Sequence, residues 1–172
     1  MKYLFTIALG LFFFSANAQE INKKLEDQIK HKQIMLNECS REGLVTFPEF
    51  KASYDANYEN YKVDSASMAQ LTKLLKDKKI KVVLGTWCGD SKFQVPNFLK
   101  VADAAKVKED HVAFIAVDGA KKAENGLIDN LNITRVPTFI VTDKKGTEIG
   151  RITEFPKKSL ELDLIEILTA KK

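Results

Sequence analysis

Residues 80–91 read Ile80-Lys81-Val82-Val83-Leu84-Gly85-Thr86-Trp87-Cys88-Gly89-Asp90-Ser91. Val82, Val83 and Leu84 form a short run apolar on both faces, the pattern of a central parallel strand. Helix-type residues follow from about Gly89 to Lys106, so Cys88 stands where a strand hands over to a helix. The first N–H groups of a helix lack intrahelical acceptors and carry partial positive charge, which favours an anion such as a thiolate. Ser91 lies one turn further on and is expected to hydrogen-bond the sulfur. Asp90 opposes the effect, because a carboxylate in the first turn repels a neighbouring thiolate.

Outward from this point the order of elements is regular. Asp64 or Ser65 caps a helix carrying Met68, Leu71, Leu74 and Leu75. A strand is predicted over Ile80–Thr86, a second buried strand over Val112–Val117, and a helix over Ala120–Asn130. Thr138–Thr142 and Thr147–Ile152 flank Asp143-Lys144-Lys145-Gly146, a hairpin signal. An amphipathic helix with Leu160, Leu164, Ile165 and Leu168 inward closes the chain. From residue 63 the order is αβαβαββα, an α/β fold with a central mixed sheet flanked by helices.

Three features in this order resemble the thioredoxin family. Trp87-Cys88 matches the start of that family's active-site helix. Pro96 lies eight residues after Cys88, where thioredoxins carry a helix-kinking proline. Val136-Pro137-Thr138, followed by Phe139, matches the cis-proline loop that sits beside the active site and pairs with the substrate backbone. The resemblance covers residues 63–172 and implies thiol–disulfide exchange. Cys88 is the implied nucleophile, with Trp87, Ser91 and Pro137 around it, and Gly89, Asp90, Val136 and Thr138 as the substrate-binding surface.

Two departures bear on mechanism. Ser91 stands where the family has its second cysteine, and Val82 stands where it has a buried acidic residue. A dithiol enzyme releases its substrate when the second thiolate attacks the mixed disulfide, and residue 91 has no thiol to do so. Three readings follow: monothiol exchange at Cys88, resolution by Cys39, or a peptide-binding module without turnover. The partners are then protein thiols, disulfides or peptide segments, with a small thiol or a reductase as electron donor, and no cofactor.

Residues 19–62 read as a helical N-terminal extension. Ile21, Leu25, Ile29, Met35, Leu36 and Cys39 fall on one stripe at the helical period, with Ile34 off it. On such a stripe Cys39 is either a small core residue or a resolving cysteine facing the active site. A second helix is predicted from Thr46, with Phe47, Phe50, Tyr54, Tyr58 and Tyr61 on one face packing against the main domain.

Composition excludes several other functions. The 172 residues hold 27 Lys plus Arg against 23 Asp plus Glu, a net +4 too small to suggest nucleic-acid binding. Two cysteines and two histidines cannot supply a disulfide framework or a metal centre. The N-terminus reads as a leader: Lys2, an apolar run over Tyr3–Phe14, then Ala16-Asn17-Ala18. Cleavage after Ala18 is expected to yield an exported protein, periplasmic or secreted, without stable membrane insertion and in a compartment where disulfides persist.

Overall fold

A computed structural model describes residues 20–170, so the leader predicted over residues 1–18 lies outside the described residues. The chain opens with strands β1 (Lys24–Asp27), β2 (Lys32–Met35) and β3 (Asn37–Cys39). Helices α1 (Arg41–Thr46), α2 (Pro48–Asn60) and α3 (Ser65–Leu75) follow. Then come β4 (Lys79–Leu84), α4 (Gly89–Ala104), β5 (Val112–Ala116), β6 (Thr138–Thr142), β7 (Glu148–Thr153) and α5 (Leu160–Thr169).

The central sheet has five strands in the order β3-β5-β4-β6-β7. β4 and β5 run parallel, and the remaining neighbours are antiparallel. β4 is central, and Val82, Val83 and Leu84 are all 0% exposed. Alternation along a strand sends neighbouring side chains to opposite faces. Val82 and Leu84 therefore join a large cluster with Leu71, Phe98, Phe139 and Leu164 under the helices. Val83 joins a smaller one with Ile115, Val117, Ile128, Val136 and Ile140.

α4 carries Pro96 in its interior. Proline has no N–H, so the carbonyl four residues earlier, that of Lys92, loses its helical donor. Asn57 Nδ2 of α2 donates to that carbonyl at 3.2 Å instead. The aromatic face of α2 packs as expected: Phe47 and Phe50 are in the core, and Tyr54, Tyr58 and Tyr61 lie against it. The helix starts at Pro48 rather than Thr46, with Phe47 as its N-cap.

Two expectations about local structure are overturned. The stripe from Ile21 to Cys39 is not a helix: β1 and β2 form an antiparallel hairpin pairing Lys24 with Met35 and Asp27 with Lys32. β3 joins the edge of the main sheet, with Cys39 opposite Phe114. Asn22, His31 and Asn37 adopt φ of 62°, 51° and 68°, a left-handed conformation that ends regular structure in either direction. Likewise Ala120–Asn130 forms turns instead of a helix. Lys121, Asn125 and Gly126 have φ of 60°, 55° and 71° there. This segment still covers the sheet, through Ala123, Leu127, Ile128 and Leu131.

Candidate active site

Cys88 is the N-cap of the 16-residue helix α4, with φ −85° and ψ 128°. After β4 the chain turns tightly, and Cys88 N–H donates to the Gly85 carbonyl at 2.9 Å. The Cys88 carbonyl then accepts from Lys92 N–H at 3.0 Å, the first helical bond. Its thiol is half-buried and donates to the Val136 carbonyl, with Sγ 3.4 Å from the oxygen. The next peptide bond, Val136–Pro137, is cis. The loop is anchored on β7's side by Glu154 N–H, which donates to the Pro137 carbonyl at 2.7 Å. The helix start and the proline loop thus meet at the sulfur.

The other expected site residues divide by exposure. Gly89 is exposed and Asp90 half-exposed, beside the thiol at the helix start. Val136, Pro137 and Thr138 are buried, and the Thr138 hydroxyl donates to the Arg135 carbonyl at 2.7 Å. The side chains of Val136 and Thr138 therefore build the loop, leaving backbone as its contact surface. Ser91 does not hydrogen-bond the sulfur as expected. It is 0% exposed, and its hydroxyl oxygen accepts from Gly85 N–H at 3.2 Å. Placed one turn inside the helix, Ser91 fixes the turn that carries Trp87 and Cys88.

Trp87 is fixed from two sides. Its indole N–H donates to the Val117 carbonyl at 2.9 Å, and Lys30 Nζ stands 4.1 Å from its ring centroid. The ring also explains Gly85, where a Cβ would come within 2.7 Å of Trp87 Cε2. Lys30 lies in the turn of the β1–β2 hairpin, whose buried anchor is Asp27. That carboxylate accepts from the N–H groups of Ile29 at 2.9 Å, Lys30 at 2.6 Å and Gly119 at 2.8 Å. Burial pushes the Asp27 carboxyl up, but these N–H donors and the Lys30 charge outweigh it and hold it below the usual carboxylate value. Met35 N–H, on the second strand, donates to Thr86 Oγ1 at 3.1 Å. Asp27, Lys30 and Thr86 are the residues that the sequence reading missed; an Asp followed two and three residues later by turn N–H groups is the one local signal for them.

A family model described as thioredoxin matches residues 46–167. The chain belongs to the thioredoxin family. No match was found among curated proteins. Among solved structures, a protein of unknown function from Pseudomonas aeruginosa is similar at 15% identity and a TM-score of 0.50, covering 75% of this chain and 89% of that one. An HIV epitope scaffold is similar at 16% identity and a TM-score of 0.52, covering 75% and 81%. Mitochondrial thioredoxin 3 of Saccharomyces cerevisiae, in its oxidized form, shares 24% identity with a TM-score of 0.33, covering 58% and 85%. At 15% and 16% identity the first two show a likeness of fold alone.

Within this thioredoxin-family chain the two cysteines are kept apart. Cys39 is 6% exposed and belongs to the large cluster under the helices. Cys88 packs against the smaller cluster on the other face. Register places Cys39 level with Phe114 and, one strand further, with Val82, roughly 10 Å apart at normal strand spacing. Burial pushes the Cys39 thiol up to about 12, with the nearby Glu38 charge adding to it against a hydrogen bond from the Ala116 backbone. Both cysteines are free. Among the described residues no cluster of His, Cys, Asp or Glu is arranged to hold a metal, and no helix is long and apolar enough to cross a membrane. Asp118 forms a strand-end turn, accepting from Ala120 N–H at 2.9 Å and Lys122 N–H at 2.8 Å.

Proposed function

We propose that this thioredoxin-family protein is exported and performs thiol–disulfide exchange through Cys88 alone, forming mixed disulfides with protein substrates. The carrying observation is the position of Cys88: half-exposed, at the N-terminus of α4, with its sulfur 3.4 Å from the carbonyl that precedes Pro137. A sulfur so placed can be reached by a substrate disulfide, and it attacks as the thiolate. The adjoining loop backbone suits an extended peptide.

In the first step the Cys88 thiolate attacks one sulfur of a substrate disulfide. A Cys88–substrate disulfide forms, and the other substrate sulfur leaves as a thiolate. A second substrate thiol, as its thiolate, then attacks the substrate sulfur of this adduct, and Cys88 leaves as a thiolate. One disulfide has been exchanged for another, with no net transfer of electrons. Net reduction instead consumes two small thiols, which end as one small disulfide. Cys39 has no part in this reading, because it packs in the cluster on the other face of the sheet.

The test is intact mass spectrometry of the protein after incubation with a disulfide-bonded peptide, quenched by thiol blocking. A peptide adduct is expected in the parent protein and in Cys39→Ala, and none in Cys88→Ala. Absence of the adduct from the parent, with peptide binding intact, would replace this reading with a binding module. The export component is read from the same spectrum of protein recovered from the producing cell, with a mature chain starting at Gln19 expected. An intact leader would remove that component.

A further inference from the structure

Lys30 lies far from the Trp87-Cys88 pair in sequence, yet its ammonium is set on the indole ring beside the nucleophile at 4.1 Å. We propose that Lys30 is a specificity residue of the Cys88 site, favouring disulfides that carry a carboxylate beside the reacting sulfur. This rests on the exchange chemistry proposed for Cys88 and names the class of substrate it takes.

The backbone that presents the charge is tied down. Lys30 N–H and Ile29 N–H both bond to the buried Asp27 carboxylate, and Asp27 bonds in turn to Gly119 N–H. Gly119 is closely covered by the hairpin, since a Cβ there would lie 2.8 Å from Asp27 Oδ1 and 3.1 Å from Lys30 Cγ. The second strand is tied to Thr86, the residue before Trp87. A charge carried on a docked turn and resting on an aromatic ring has less freedom to lose when a partner arrives than one on a free segment.

Lys30 takes part in no ion pair among the described residues, where the paired cations are Lys23, Arg41, Lys51, Arg135, Lys144, Arg151 and Lys158. Asp27, whose carboxyl the Lys30 charge helps to hold down, is already met by three N–H donors. Attack by a thiolate on an anionic disulfide brings like charges together, and Asp90 at the helix start adds to the repulsion. A fixed ammonium beside Trp87 offsets both. Its aromatic contact leaves the N–H donors able to meet a carboxylate.

The test compares two small disulfides on the full chain at low salt. One is 5,5′-dithiobis(2-nitrobenzoate), with a carboxylate on each ring; the other is 4,4′-dithiodipyridine, which is uncharged at neutral pH. In each step Cys88–S–S–R forms and the second half leaves as a thiolate or thione, which is read by its absorbance. Lys30→Met is expected to lower the ratio of anionic to neutral rates by roughly two- to tenfold. Lys30→Glu lowers it further, and Lys30→Arg restores it. In the parent protein the ratio falls as salt is added, a readout that requires no variant. A ratio indifferent to Lys30→Met, Lys30→Glu and salt overturns the proposal. So does an equal loss with both probes, which would mark Lys30 as acting on the thiol or on Trp87 position. If the parent Cys88 reacts with neither probe, the exchange function itself fails, and the two failures are thereby distinguished.

Discussion

Replacing Asp27 by alanine should loosen the hairpin that carries Lys30. The substitution deprives three backbone N–H groups of their acceptor, at 2.9, 2.6 and 2.8 Å. A hydrogen bond to a charged group contributes about 1.5–3 kcal/mol, and an orphaned buried donor costs a similar amount. Ile29 is 58% exposed, so water re-solvates the turn and the Ile29 and Lys30 bonds count for little. Gly119 N–H lies beneath the docked turn and bears most of the loss. The expected destabilisation is about 1.5–3 kcal/mol, large against the roughly 5–15 kcal/mol of a typical domain. In urea this moves the midpoint down by about 1 M at ordinary slopes. Trp87 is the single tryptophan, and its emission should change before global unfolding. Asp27→Asn keeps one carbonyl acceptor and should lose roughly half as much. The Asp27 carboxyl titrates below its unfolded value, so its contribution is complete above pH about 4 and disappears as pH falls through the lower folded value. The gap between parent and Asp27→Asn should narrow on acidification. A midpoint for Asp27→Ala indistinguishable from the parent, or a gap that widens in acid, would refute this account of the anchor.

Gly119→Ala places a Cβ 2.8 Å from Asp27 Oδ1 and 2.9 Å from Ile29 Cβ, so the hairpin must shift. A loss of about 1–3 kcal/mol in urea unfolding is expected, as for other overpacked sites; unchanged stability and Trp87 emission would show that the turn yields freely. Cys39, with its thiol held at about 12 by burial, is neutral at ordinary pH and enclosed. Iodoacetamide at pH 8 should label Cys88 on the native protein and Cys39 only after unfolding, and comparable native labelling of both would contradict the packing of β3.

Much of this fold could be read from particular residues. Val82-Val83-Leu84 announced the central strand, Trp87-Cys88 the strand-to-helix junction, and Val136-Pro137-Thr138 the loop that meets it. The N-terminal hairpin was hidden by arithmetic. Ile21, Leu25 and Ile29 recur every four residues, a spacing that suits a helical face, but only Leu25 lies in β1, and Ile21 and Ile29 stand exposed in the turns on either side. Ile34, which did not fit the helical stripe, is buried and was the discordant signal. The turn between the strands uses Asp27 and a left-handed His31 in place of glycine or proline, so the usual punctuation is missing. Asn125-Gly126 is the opposite case, a legible turn pair inside a stretch whose pattern otherwise suits a helix. Lys30 could not be placed beside Trp87 without knowing that the hairpin folds across the strand ends, a tertiary fact with no local pattern.

The sheet's two margins bear on how the protein behaves when crowded. At one margin β3 is only three residues long. At the other, pairing of β7 with β6 shifts register between Val141 and Thr142, and Glu148 and Arg151 of β7 are bound to each other. A border that is short on one side and irregular and charged on the other makes a poor template for a foreign strand. The molecule can therefore leave Cys88 accessible at the start of α4 while denying other chains a place to extend the sheet and begin to aggregate.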